Sequence, residues 1–464
     1  MVDKIMNIRI LFYSFLGLHL IIWTVIPFIT NNNLPLDTIE ALAWGSNLDW
    51  GFNKHPPMSA VLVEIFFQIF GNKDWAYYLL SQICIIISFF VVFKLSEEFL
   101  KNTLLCFISV LLLEGIYFYN FTTPEFNVNV CLIPFWTLTV FYFWRGLKYN
   151  RITDWFLLGV FAGFGFLSKY LFIYLGLAID FYLVYKIVKK EINLKCLISV
   201  IPFLLIIFPH LIWLNDNNYI TITYGLKRTG ATDQGILDHI IFPIIFLAKQ
   251  IVILIPFFLM IFFLNQKSKI TFNIKKDENL IFLLAINLLP ILLILITSLI
   301  LGAKIRTMWM TPFYIFLGLL SVYIIQSNIQ LAKLKNFMTT FIILFFLSPF
   351  IYGYISITEN NKRTDYQGKK IANIVEMEWN KFSKNEFALS SVIGDEWVAG
   401  NLSYHIKSRP KRYDLSVDTN ELDGGFIIVN HPELNCKSSF YPIFKSVKLD
   451  FEGNPCIVMY SNLK

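Results

Sequence analysis

Apolar runs close to 20 residues long recur along the first three quarters of this 464-residue chain. Each is long enough to cross a hydrocarbon layer roughly 30 Å thick as a helix. Inside such a layer every backbone amide must find its partner within the protein, so a chain built this way folds as a bundle of helices or as a closed barrel. A barrel needs alternating segments of about ten residues, and none is visible here. Composition points the same way: 56% of residues are hydrophobic and 15% charged, against about a quarter charged in soluble domains. An ordinary soluble enzyme is excluded.

The expected fold is therefore an all-α polytopic membrane protein. Spans are placed at about 10–29, 75–93, 102–119, 127–144, 154–168, 170–185, 197–213, 240–264, 279–301, 308–326 and 337–354, about 11 transmembrane helices in a domain covering residues 1–354. With the N-terminus inside, the inner loops carry Lys94, Lys101, Arg145, Lys148, Arg151, Lys186, Lys189, Lys190, Lys195, Lys267, Lys269, Lys275, Lys276, Lys333 and Lys335. That is the basic bias of cytoplasmic loops. Basic residues on the other side are fewer, so each asks for its own explanation. The first apolar run lacks a small-residue cleavage site after it and reads as an anchor, not a cleaved signal.

The tail, 355–464, changes character. It is polar, with turn formers such as Asp423-Gly424-Gly425 and short apolar runs such as Phe426-Ile427-Ile428-Val429, the signature of a small α/β domain. An odd number of crossings puts it outside. Cys436 and Cys456 both fall in the tail, and an oxidising exterior would allow them to pair.

The chemistry-bearing residues crowd into the exterior loops. The first contains Pro35-Leu36-Asp37-Thr38-Ile39-Glu40, with helical spacing of Leu36, Ile39, Ala43 and Trp44, and then Lys54-His55-Pro56-Pro57. This predicts a short helix on the membrane surface. Asp37 and Glu40 also suit a capping box, with Asp37 as the cap. Glu125 follows Pro124 at the mouth of a span and equally suits a helix start. Lys169 stands between two apolar runs with almost no loop, where a charge costs several kcal/mol unless it snorkels or meets an anion or a wet cavity. Arg306, beside Lys304, occupies a similarly tight turn, and Lys227-Arg228 lie in a longer loop, where a lipid-headgroup anchor is an equal reading.

Taken in order, these motifs resemble glycosyltransferase family 39. The likeness rests on an acidic residue just after the first span, the short helix and His55-Pro56-Pro57. It continues through Thr122-Thr123-Pro124-Glu125-Phe126-Asn127, Ser168-Lys169-Tyr170, Pro209-His210-Leu211-Ile212-Trp213-Leu214, Arg306-Thr307-Met308-Trp309, Gly394-Asp395-Glu396-Trp397 and Arg409-Pro410. The family includes 4-amino-4-deoxy-L-arabinose lipid A transferases and protein O-mannosyltransferases. Two departures stand out: the family's adjacent Asp-Glu is split here as Asp37 and Glu40, and the arabinose transferases' Lys-Pro-Pro is His55-Pro56-Pro57.

The resemblance implies a GT-C type fold and a multi-pass enzyme of the bacterial inner membrane with a periplasmic C-terminal domain. It implies transfer of a sugar from a polyprenyl-phosphate donor to an envelope acceptor, with lipid A first and another envelope glycan or a protein as alternatives. Direct inverting displacement needs a carboxylate to take the acceptor's proton, and positive charge to stabilise the departing phosphate. The candidates are Asp37 first, then Glu40, Glu125 and His55 for catalysis. Lys54, Lys169, Lys227, Arg228, Lys304 and Arg306 are the candidates for the donor phosphate. His55 with Asp37 or Glu125 could also hold a divalent metal ion across loops. A lipid or sugar transporter is the reading from another class, but transporters place polar sites in broken helices at the midplane of repeated halves.

Overall fold

The computed structural model describes residues 2–230, 235–265, 277–330, 334–419, 422, 424–429, 445–447 and 457–461. It is a bundle of apolar helices with a small mixed sheet at one end. Among the described residues, seven helices are long and apolar enough to cross a membrane: Asn7–Thr30, Asp74–Phe99, Val128–Tyr149, Tyr170–Val188, Leu194–Asp216, Glu278–Leu301 and Lys335–Thr358. Two bent pairs, Asp238–Ile253 with Ile255–Leu264 and Thr307–Tyr314 with Leu317–Asn328, bring the number to as many as nine. The remaining two stretches expected as full spans are shorter apolar helices, Thr103–Gly115 and Ile152–Ser168. The helix Met58–Phe70 follows the first loop and carries no separate sequence expectation.

Small residues let these helices approach closely, as packing within lipid favours. A Cβ on Gly159 would stand 1.9 Å from the Ser199 carbonyl oxygen, and one on Gly318 would stand 2.1 Å from that of Ser109. At the end of the bundle away from the sheet, basic residues are tied into ion pairs, Lys148 with Glu98 at 2.5 Å and Lys186 with Glu278 at 3.0 Å. Deep between helices His19 Nδ1 meets Glu114 Oε1 at 2.8 Å, both side chains buried, and Asn120 Nδ2 donates to the other Glu114 oxygen at 3.3 Å.

The sheet contains β1 (Leu389–Ile393), β2 (Lys411–Tyr413), β3 (Gly425–Val429), β4 (Lys445–Val447) and β5 (Ile457–Ser461), in the order β2-β1-β3-β5-β4. β1 runs parallel to β2 and β3, while β5 is antiparallel to β3 and β4. The helices Gly368–Phe382 and Val398–His405 belong to this region, and Ile371, Val375, Trp379, Val392, Leu402 and Ile427 form its core. Cys436 and Cys456 lie outside the described residues.

The sheet region is held to the helical part by specific contacts. Arg409 donates to Glu64 at 3.1 Å and to the Leu42 carbonyl at 2.7 Å. Its guanidinium lies 4.0 Å from the Phe67 ring centroid. Tyr404 donates to Asp74 at 2.6 Å. These contacts settle the sheet region directly over the first loop.

Candidate active site

The short helix forms as expected, over Leu36–Gly45, but it is not a free surface helix. The tail helix 398–405 lies on it, so close that a Cβ on Gly400 would come within 2.9 Å of Ala43 Cβ. Nor is there a capping box: Pro35 is the N-cap and no side chain caps the helix. Proline suits this boundary because the amide it lacks would be unsatisfied anyway. Asp37 is thereby left in the first turn with its carboxyl group free for other partners.

Beyond the helix the chain turns back, and Phe52 N–H donates to the His55 carbonyl at 3.0 Å. Trp44 stacks on Phe52, with centroids 5.1 Å apart and planes 10° apart. The His55 ring stands edge-on between Trp44 at 6.0 Å and Tyr224 at 6.2 Å. The loop is further fixed from a distant span. His210 Nδ1 lies 2.6 Å from the Trp50 carbonyl and its Nε2 2.7 Å from the Tyr170 hydroxyl. Because a carbonyl only accepts, Nδ1 carries the hydrogen and Tyr170 donates to Nε2.

These elements enclose a cavity of about 440 Å³ lined by Asp37, Glu40, Lys54, His55, Asn129, Lys169, Tyr170, Arg228, Arg306 and Trp309, with apolar walls from Leu171, Ile173, Ile305 and Met308. Residues scattered over most of the chain thus meet in one charged pocket with an apolar flank. Lys169 Nζ donates to Asn129 Oδ1 at 2.6 Å and lies 5.1 Å from the Trp309 ring centroid. Asn129 is placed by the start of its own helix, where Asn127 caps by accepting from the amides of Asn129 and Val130. Lys54 bridges Glu40 and Glu396, the latter at 3.3 Å.

The electrostatics follow from burial. Lys169 is buried away from water, which pulls its pKa down to about 7; Asp37 resists this and Arg306 reinforces it. Asp37 is raised by burial, against the lowering effect of Lys169, Lys54 and Arg228. Glu125 is pushed up to about 8, by burial first and by the Asp37 charge second. Its Oε1 accepts the Asp37 backbone N–H at 3.0 Å. Of this pair Asp37 is the one that ionises, because three cations favour its charge. Glu40 rises to about 7 through burial, in spite of Lys54. His55 falls to about 3, from burial and then from Lys169, Lys54 and Arg228, so its imidazole is neutral at pH 7. Glu396 stays below the usual range because Lys54 and Arg412 outweigh its burial.

Not every sequence candidate reaches the cavity. Lys227 is exposed at the end of the helix Ile220–Thr229 and is absent from the cavity lining. Lys304 points elsewhere, 6.0 Å from the Phe242 ring centroid. Glu125 lies behind Asp37 and is not the start of a helix, since the next helix begins at Val128 with Asn127 as its cap. His55, Asp37 and Glu125 do not assemble a metal site: among the described residues no group of three or more His, Cys, Asp or Glu is arranged to hold a metal ion. Three contributors went unnoticed as site residues in the sequence: Asn129, Trp309 and Glu396. Glu396 stands in the sequence only within the motif Gly394-Asp395-Glu396-Trp397, without a role, and the docking of the tail brings it to Lys54.

Known proteins share the fold and parts of the sequence. The family model described as dolichyl-phosphate-mannose-protein mannosyltransferase matches residues 54–213, a stretch that includes Lys54, His55, Glu125, Asn129 and Lys169. The lipopolysaccharide core galacturonosyltransferase RgtB of Rhizobium johnstonii is 23% identical over 413 residues, covering 86% of this chain and 82% of that protein. The crystal structure of ArnT from Cupriavidus metallidurans bound to undecaprenyl phosphate superposes with a TM-score of 0.62 at 11% identity, covering 97% of both chains. Its apo form gives 0.60. The fold and site together define a multi-pass membrane glycosyltransferase of the GT-C fold. More particularly, the chain is similar to family 39 glycosyltransferases, over residues 54–213 by the family model and over most of its length by RgtB.

Proposed function

We propose that this protein transfers a sugar from a polyprenyl-phosphate donor to a lipopolysaccharide acceptor, lipid A or its core sugars, at the periplasmic face of the bacterial inner membrane. Residues 1–354 form the transferase domain in this reading, and 355–464 a periplasmic domain that completes the site. The observation that carries it is the cavity in which one ionisable carboxylate, Asp37, faces Lys169, Lys54 and Arg228 beside an apolar flank. A membrane-bound phosphate with a polyprenyl chain matches both halves of that surface. ArnT has been crystallised with undecaprenyl phosphate, and RgtB acts on the lipopolysaccharide core, which supports the donor and acceptor classes.

The chemistry is a displacement at the anomeric carbon. The acceptor hydroxyl oxygen attacks, its proton passes to Asp37, and the C1–O bond to phosphate breaks with its electron pair leaving on the lipid phosphate. Lys169, buried, and Arg228 and Arg306, on the exposed rim of the cavity, stabilise that growing charge. Lys169 is poised for this role, since an arriving phosphate holds its proton in place. Lys54 is engaged by two carboxylates and orients Glu40 and Glu396. His55, neutral and wedged between rings, shapes the wall beside the reacting sugar.

The test is the mass spectrum of lipopolysaccharide, separated into lipid A and core, from cells with the intact gene, a deletion, and Asp37→Asn. Loss of one sugar mass in the deletion and in Asp37→Asn, with the protein still accumulating, is expected. Unchanged lipid A and core in all three overturns the acceptor. An active Asp37→Asn overturns the base.

A further inference from the structure

We infer that a second groove, formed where the tail meets the first loop, is a binding site for a neutral saccharide. It is separate from the charged cavity, with which it shares no lining residue: Trp44 and Phe52 line the groove, while His55, which stands edge-on to Trp44, lines the cavity. Its volume is about 330 Å³, at the lower end of the roughly 300–1,000 Å³ usual for small-ligand sites. The lining combines aromatic rings, Trp213 and Tyr413, with the carboxamides of Asn47, Asn53 and Asn217. Sugar rings require that combination: their C–H faces settle on the negative face of an aromatic ring. Their hydroxyls each donate and accept, which a carboxamide can answer in both senses.

Two details sharpen the assignment. Asn53 donates to Glu396 at 3.0 Å, yet its Oδ1 is buried without a hydrogen-bond partner, an acceptor that a rotation of this side chain would offer to a ligand hydroxyl. The charge of the groove argues against an anion. Asp49 and Asp414 line it, and the guanidinium of Arg412 is already spent on the Gly394 carbonyl and on Asp414 at 2.6 Å. The wall is also held firmly: Trp213 Nε1 donates to Asp49 at 2.6 Å, and Thr221 Oγ1 to the Phe52 carbonyl at 2.8 Å. Such a groove, one aromatic wall away from the reacting centre, suits sugar units of the acceptor next to the one being modified. That attribution to the acceptor rests on the transferase reading; saccharide binding by the groove does not.

The experiment is saturation-transfer NMR on the full-length chain in nanodiscs, with glucose, galactose, mannose and N-acetylglucosamine as probes. A saturable signal on ring protons of at least one sugar is expected. It should weaken about ten-fold or more in Ser416→Trp, which fills the groove from its exposed rim, and in Tyr413→Ala, which removes a platform. Undecaprenyl phosphate binding by both variants should be unchanged, which shows them folded. Lys169→Met should lose the lipid phosphate and keep the saccharide signal. The inference is overturned if no probe gives a saturable signal, if Ser416→Trp and Tyr413→Ala leave it intact, or if Lys169→Met abolishes it. Because saccharide and lipid-phosphate binding are read separately, a failed donor assignment is distinguishable from a failed groove.

Discussion

Lys169 illustrates how a single side chain records its surroundings. Its position between two apolar runs makes it legible in the sequence as a charge needing a partner, and burial pulls its pKa to about 7. Raising the pH through neutrality therefore strips the charge that would hold a phosphate. Undecaprenyl phosphate should bind about ten-fold more weakly at pH 9 than at pH 6 by native mass spectrometry, and Lys169→Arg should flatten that dependence because a guanidinium keeps its proton. The carboxylates separate in the same way. Asp37→Asn should lower turnover by about 10²–10⁴-fold, whereas Glu125→Gln, which keeps an oxygen for the Asp37 amide, should cost about ten-fold or less. Glu125 also links folding to pH. It ionises near 4.5 when unfolded and near 8 when folded, so the native state holds the extra proton and stability falls as pH rises between those values. Thermal melting in detergent should decline from pH 5 to 8, and less steeply in Glu125→Gln.

At the level of elements, long apolar runs made the spans legible, but their breaks were not. The break at Leu254 has Pro256 at the start of the helix that follows, and the break near Ile315 comes after a segment containing Pro312. A proline lacks the amide that would continue the helix, which hydropathy alone does not register. The capping box was misread for a local reason: Pro35 takes the N-cap position, so Asp37 is spared for the cavity. Arg409-Pro410 was visible as a motif without a role, because the partner Glu64 is 345 residues away in sequence. Arg409→Ala leaves Glu64 without its cation and the Leu42 carbonyl without this donor, a loss of about 3 kcal/mol for a largely buried pair. The expected result is faster tryptic removal of the tail in intact nanodiscs, with the helical part still resistant.

At the level of the molecule, the site is drawn from loops that sequence order keeps far apart, and the docking of the tail decides its last member. Glu396→Ala should lower kcat/KM by about ten-fold while leaving lipid phosphate binding within about two-fold, checked on the same preparation. Lys54 would then pull on Glu40 alone. The bridge from Glu40 through Lys54 to Glu396 also bears on how such proteins diversify. A tail grafted from a distant relative would change specificity only if it presents an acid at this point. Otherwise the graft inherits a new roof and a miscounted charge beneath it. Membrane part and tail are thus constrained to evolve as one unit, and the pair at Lys54 is where a designer of hybrid transferases should first check compatibility.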